Sequence, residues 1–139
     1  MLKPIKSLLE NNAIYIAVFF TISILFGSLV KSELIVVESI SVSDKTYHLI
    51  AYFLLMLSWL YAFFKKEKFQ EHVKYIILAC FIFGIIIEIL QGVITSYRTA
   101  SYLDILANTI GVLLAVVIFH VFEKKLAYFK VKLVIQIII

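Results

Sequence analysis

YIILACFIFGIIIEILQGVI, from Tyr75 to Ile94, decides how this chain is read. An α-helix rises about 1.5 Å per residue, so about 20 apolar residues cross the hydrocarbon layer of a bilayer. This stretch has that length, and its only strongly polar interruptions are Glu88 and Gln91. It reads as a membrane span that carries a carboxylate and an amide within it. Hydrocarbon solvates such groups poorly, so they are kept only where they meet one another, water or a ligand.

Three further spans lie around it. Ala13 to Val30 (AIYIAVFFTISILFGSLV) contains no charge; Thr46 to Phe64 has His48 near its start; Leu103 to Phe122 has Asp104 and Asn108 in its first two turns. A span must satisfy its backbone internally, and these lengths suit helices rather than barrel strands. The β-branched and aromatic richness does not oppose this, because lipid and tertiary context override intrinsic propensity. Lys3 and Lys6 ahead of the first span give it the look of a signal peptide. The run is long for that role and no small-x-small cleavage pattern follows, so it is read as a retained helix. The expected fold is all-α, an integral membrane four-helix bundle.

Composition agrees. The chain has 139 residues, 63% of them hydrophobic, with a mean hydropathy of +1.06. Soluble domains are about half apolar, and this surplus cannot be hidden in one soluble core. The net charge of +4 does not point to nucleic acid, because the lysines flank spans, where they face anionic lipid or set orientation. Cys80 is the sole cysteine, so no intramolecular disulfide forms and the thiol reads as a small buried hydrophobe. No zinc or iron–sulfur ligand pattern is present, and the residues name no cofactor. Residues 1–125 form the four-span domain. Residues 126–139 form an apolar, basic tail too short to cross; an interfacial amphipathic segment and a frayed end both remain open for it.

Lysine and arginine bias sets the direction. Lys3 and Lys6 precede span one, KKEKFQEHVK (Lys65 to Lys74) joins spans two and three, and Lys124, Lys125, Lys130 and Lys132 follow span four. The first loop has Lys31 and Lys45 balanced by Glu33, Glu38 and Asp44, and the third has only Arg98. Both termini are therefore expected in the cytoplasm, with loops one and three outside. A multi-pass protein of a bacterial inner membrane is the expected setting.

That direction places the rare polar groups toward one side. Asp44 and His48, four residues apart, share a helix face, with Lys45 beside them. Glu88 lies roughly 9 Å below the outer end of span three, and Gln91 is one turn above it. Asp104 and Asn108 open span four, and Gly111 and Ala115 continue their face with small residues that admit a neighbouring helix. Ser101 and Asp104 approximate a capping box. Arg98, the only arginine, has a planar fork suited to two-point contact with a carboxylate or phosphate. The candidate polar site is Asp44, Lys45, His48, Glu88, Gln91, Arg98, Asp104 and Asn108.

Plainer readings stand beside this one. Asp44 and Asp104 suit helix caps, His48 an interfacial histidine with one hydrogen bond, and Asn108 and Gln91 interhelical glue. Tyr47, Tyr52, Tyr97 and Tyr102 read as an interfacial aromatic belt rather than a substrate clamp. Glu88 resists a plain reading best: so deep, a carboxylate must be protonated, paired with Arg98, Lys45 or His48, or hydrated.

The same residues resemble the signatures of the VanZ-like family of small membrane proteins. Asp44-Lys45-Thr46-Tyr47-His48-Leu49-Ile50-Ala51-Tyr52 is similar to its DK-x-x-H-x-x-x-Y pattern, and Glu88-Ile89-Leu90-Gln91 to its E-x-x-Q segment. Arg98, Ser101, Asp104, Asn108 and Gly111 resemble its R-x-x-S-x-x-D-x-x-x-N-x-x-G segment. The match runs from Asp44 to Gly111, leaving the first span and the tail outside it. The resemblance implies a cell-envelope role with a link to glycopeptide resistance, and it supplies no catalytic residue to carry over.

Three functions fit. The first is binding of an anionic lipid or a lipid-linked cell-envelope precursor at an outward site, modulating the envelope or glycopeptide susceptibility. The second is a membrane-embedded enzyme on a lipid-linked substrate, with Glu88 or His48 as acid or base, or with Asp44, His48, Glu88 and Asp104 around a divalent metal. The third is a proton- or ion-coupled transporter, suggested by the intramembrane carboxylate.

Overall fold

The computed structural model describes the backbone of residues 2–30, 44–64, 68–95 and 99–138, and the side chains of residues 12–30, 44–64, 68–95 and 99–125. Four helices follow one another: α1 (Leu2–Leu29), α2 (Asp44–Phe63), α3 (Phe69–Ile94) and α4 (Tyr102–Ile138). Among the described residues there is no strand. Each helix contains a stretch long and apolar enough to cross a membrane: Asn12–Leu29, Asp44–Phe63, Phe69–Ile94 and Tyr102–Lys125. The chain is a multi-pass, all-helical integral membrane protein.

Hydropathy marks where spans are apolar, not where helices stop, and the two differ at three places. α3 begins at Phe69, six residues before Tyr75, so six of the ten residues of the basic segment between spans two and three are helix. α1 begins at Leu2, with Pro4 in its first turn, where a missing N–H costs no intrahelical bond. α4 runs 37 residues, about 55 Å at helical rise. Residues 126–138 continue it as one helix rather than as a separate segment.

α2 is the hub of the bundle. Tyr52, Leu55, Met56 and Leu60, at helical spacing along one face, pack with Ile76 and Cys80 of α3 and with Val112 and Ala115 of α4. Outward positions such as Phe19, Ile86, Val93 and Val117 stay exposed, as expected where lipid is the solvent. The largest interface joins α2 to α4, and Gly111 sets its closeness. A Cβ there would strike the carbonyl oxygen of Leu49 and lie 3.1 Å from the backbone nitrogen of Phe53. Backbone meets backbone, a contact that only glycine permits.

Aromatic rings close the other end. Phe64, Phe69 and Phe119 stand with ring centroids 5.4–5.9 Å apart, tying the α2–α3 connection to α4. Lys68 enters α3 in the left-handed region (φ 56°), and its carbonyl accepts the N–H of Glu71 and of His72. On the α1 side, Trp59 Nε1 donates to Thr21 Oγ1 at 3.2 Å. A cleft of about 390 Å³ lies near this end, lined by apolar side chains including Leu55, Trp59, Phe63, Ile76 and Phe83. Thr21, His72, Tyr75 and Cys80 also line it, while the clustered carboxylates lie elsewhere.

Candidate functional site

The up-down order of the four spans brings the starts of α2 and α4 and the end of α3 to one end of the bundle. Helical spacing then does the rest: Asp44 and His48 occupy successive turns of α2, and Asp104 and Asn108 successive turns of α4. Residues that sequence holds up to 60 apart are thereby brought into contact.

His48 is the centre of the cluster. Its Nδ1 lies 3.2 Å from Asn108 Oδ1 and 3.8 Å from Glu88 Oε1. An amide oxygen only accepts, so Nδ1 is the ring nitrogen placed to donate to it. The opposite nitrogen, Nε2, lies 4.0 Å from Asp44 Oδ2, too far for a hydrogen bond. Lys45 Nζ stands 3.8 Å from Asp104 Oδ1, an ion pair at long range. With Lys45 half in solvent, such a pair contributes at most about 1 kcal/mol.

The cluster has a rim and a floor. The side chains of Asp44 and Lys45 are about half exposed, at 47% and 50%. Those of His48 and Asp104 are 8% and 9% exposed, and that of Glu88 only 1%. Asn108 is buried as well. It owes its place to Gly84, where a Cβ would come within 3.4 Å of Asn108 Nδ2 and 3.2 Å of the Tyr52 ring.

Glu88 has a structural duty beside its contact with His48. Its Oε2 accepts the backbone N–H of Ser101 at 3.0 Å, at the start of α4. The capping box expected from Ser101 and Asp104 is therefore made differently: the acid on the Ser101 N–H comes from α3, while Asp104 turns to Lys45. Ser101 keeps its cap position, its carbonyl accepting from the N–H of Asp104 and of Ile105. A negative group at a helix N-terminus also meets the positive end of the helix dipole.

One of the expected site residues stands apart, and another is not among the described residues. Gln91 is buried, but its Nε2 donates to the carbonyl of Ser28 at 3.0 Å, satisfying a carbonyl that the last turn of α1 leaves without a helical partner. It joins α3 to α1. Arg98 lies outside the described residues, as does Tyr97.

Tyr52 is the residue that sequence reasoning misplaced. It is 1% exposed, in the core between Phe83 and Asn108 rather than in an interfacial belt, whereas Tyr47 and Tyr102 are exposed. Its hydroxyl is buried without a hydrogen-bond partner, and so is Asn108 Nδ2. The four-residue step from His48 to Tyr52 was the available signal, since it puts both on one face of α2.

Chemically, the arrangement offers an imidazole held by an amide, three carboxylates and one ammonium. One ligand atom from each of Asp44, His48 and Asp104 lies within 4.8 Å of the others, a donor set of nitrogen and oxygen that suits a divalent cation. The geometry also admits acid–base work by His48 against Glu88. Compared with known proteins, the chain matches the family model described as VanZ/LLP1 over residues 5–123. No curated protein and no solved structure matches it.

Proposed function

The chain belongs to the VanZ/LLP1 family, and from that premise we propose that its polar cluster binds the charged headgroup of a membrane lipid or lipid-linked cell-envelope precursor. In this reading both termini lie in the cytoplasm of a bacterium, and the cluster opens on the outer face of the inner membrane. Occupying that headgroup is how the protein modulates the envelope and its susceptibility to glycopeptides.

One observation carries the proposal: six polar groups from three helices converge beneath a half-exposed rim at the ends of the spans. Asp44 and Asp104 lie at the first and third residues of their helices, and in this reading those span ends lie at the level of the lipid headgroups. Burying this much polarity in hydrocarbon is expensive. Helix–helix adhesion alone does not call for it, because small residues and apolar packing already join α2 to α4 through Gly111 and Ala115. Lys45 at the rim, and Arg98 three residues before Ser101, supply the positive charge that an anionic headgroup requires.

Binding of labelled anionic lipids and lipid-linked precursors to the purified protein is the test. Lys45→Ala and Arg98→Ala should each weaken capture of anionic headgroups while leaving neutral lipids unchanged. Equal binding by all lipids and both variants removes the reading.

The contact between His48 Nδ1 and Glu88 Oε1 at 3.8 Å favours a second reading, an enzyme acting on the same class of lipid-linked substrate. There His48 exchanges a proton with the substrate while Glu88 stabilises the imidazolium. Turnover of a lipid-linked substrate that is lost in His48→Asn, with headgroup binding retained, would distinguish catalysis from capture.

A further inference from the structure

We infer that Asp44, His48 and Asp104 form a site for a divalent cation, which bridges this protein to a phosphate of its ligand. The inference rests on the reading of the cluster as a ligand site and names what the ligand meets there.

The charge of the cluster is the first reason. Asp44, Glu88 and Asp104 bring three carboxylates, against the ammonium of Lys45 and the imidazole of His48. The carboxylates of the cluster outnumber its own cations, and an added cation offsets that surplus. Two acidic ligands and a histidine suit a first-row divalent ion, with imidazole selecting for transition metals and carboxylate for harder ones.

The orientation of His48 is the second and independent reason. Asn108 Oδ1 lies 3.2 Å from Nδ1, which leaves Nε2 directed toward the carboxylate of Asp44, 4.0 Å away. The distance is too long for a proton shared in a hydrogen bond, and it is close to the span of two ligands on opposite sides of an ion at about 2.1 Å from each. Histidines that bind metals are held in this way, by an acceptor on the other ring nitrogen.

Asp104 completes the set. Its side chain is 9% exposed, and Oδ1 accepts no hydrogen bond, with Lys45 at 3.8 Å. That oxygen belongs to a triad whose ligand atoms all lie within 4.8 Å of one another, so an inward movement of at most about 0.7 Å by each ligand atom brings all three to ordinary bond lengths from one ion. Three protein ligands leave coordination positions open on the exposed side, where a phosphate oxygen binds, as metal ions held by few carboxylates commonly bind substrate phosphates.

Titration of the full-length protein in detergent with Mn²⁺, followed by loss of the aqueous Mn²⁺ resonance, tests this. One equivalent should bind. Asp44→Asn, at a half-exposed position that leaves the bundle intact, should abolish or greatly weaken binding, and Asn108→Ala should weaken it by about 10- to 100-fold. Lys45→Met removes a competing cation and should tighten binding, a gain that general loss of structure does not produce. No stoichiometric uptake up to about 1 mM, the weak end of built cation sites, overturns the inference, and so does uptake unchanged in Asp44→Asn. Headgroup binding in the presence of a chelator separates the two proposals. Lipid capture that persists without metal overturns the cation site and leaves the headgroup reading standing. Specific Mn²⁺ uptake without headgroup capture does the reverse.

Discussion

The carboxylate of Glu88, near the end of α3, accepts the backbone N–H of Ser101 at the start of α4. The contact joins two helices across a separation of 13 positions in the chain and leaves the second carboxylate oxygen beside His48. Glu88 is thus both a cap for α4 and a wall of the polar cluster.

These two duties separate by substitution. Glu88→Gln keeps an oxygen that accepts from Ser101, so thermal stability in detergent should change little. Glu88→Ala leaves the part-buried N–H of Ser101 without its partner and should cost about 1–3 kcal/mol. A drop in stability for Glu88→Gln as large as that for Glu88→Ala would show that the charge, rather than the cap, holds the helices.

Gly111 should tolerate nothing larger. A methyl group there meets the backbone of Leu49 and Phe53, which cannot rotate away, so α2 and α4 must part. Overpacking of this kind costs about 1–3 kcal/mol, read as a lower unfolding temperature for Gly111→Ala. Gly27 is the control: nothing lies within 4 Å of its would-be Cβ, and Gly27→Ala should be neutral or stabilise α1 by up to about 1 kcal/mol.

The hydrogen bond from Trp59 to Thr21 gives α1 and α2 an optical reporter, because Trp59 is the only tryptophan. Thr21→Val should move its fluorescence emission to shorter wavelength as the indole N–H loses its acceptor. The cost to stability should be about 0.6 kcal/mol, typical of interhelical bonds in membranes. Unchanged emission would place the indole against another partner.

Orientation is open to labelling, since Cys80 is buried and should stay silent to an impermeant maleimide. With both termini inside, Thr99→Cys should react from outside intact cells and Lys124→Cys should react only after lysis. The opposite pattern would turn the cluster toward the cytoplasm and remove the proposed contact with outer-leaflet headgroups.

How much of this was legible in the sequence varies by residue. The four spans were readable because a 30 Å apolar solvent demands about 20 apolar residues whatever they pack against. Helix ends were less so: Phe69 to Lys74 is polar enough to read as loop, yet it is helical, with Phe69 packed against Phe64 and Phe119. Asp44, His48, Asp104 and Asn108 were readable as faces, since four-residue steps repeat on one side of a helix. Tyr52 was misplaced, because an aromatic residue near a span end suits both belt and core, and only a neighbour such as Gly84 decides between them.

Sequence alone determined that this is a four-span helical membrane protein with polar residues at the ends of its spans. Those features follow from local chemistry, namely hydropathy, helical period and the cost of charge in hydrocarbon. Tertiary structure decided the partners. Gln91 turned to Ser28 instead of His48, Glu88 took the Ser101 N–H in place of Asp104, and Asn108 fixed the ring of His48. Each choice depends on which helix stands beside which and at what distance, and that is set by close backbone packing at Gly111 and Gly84, which no single helix encodes.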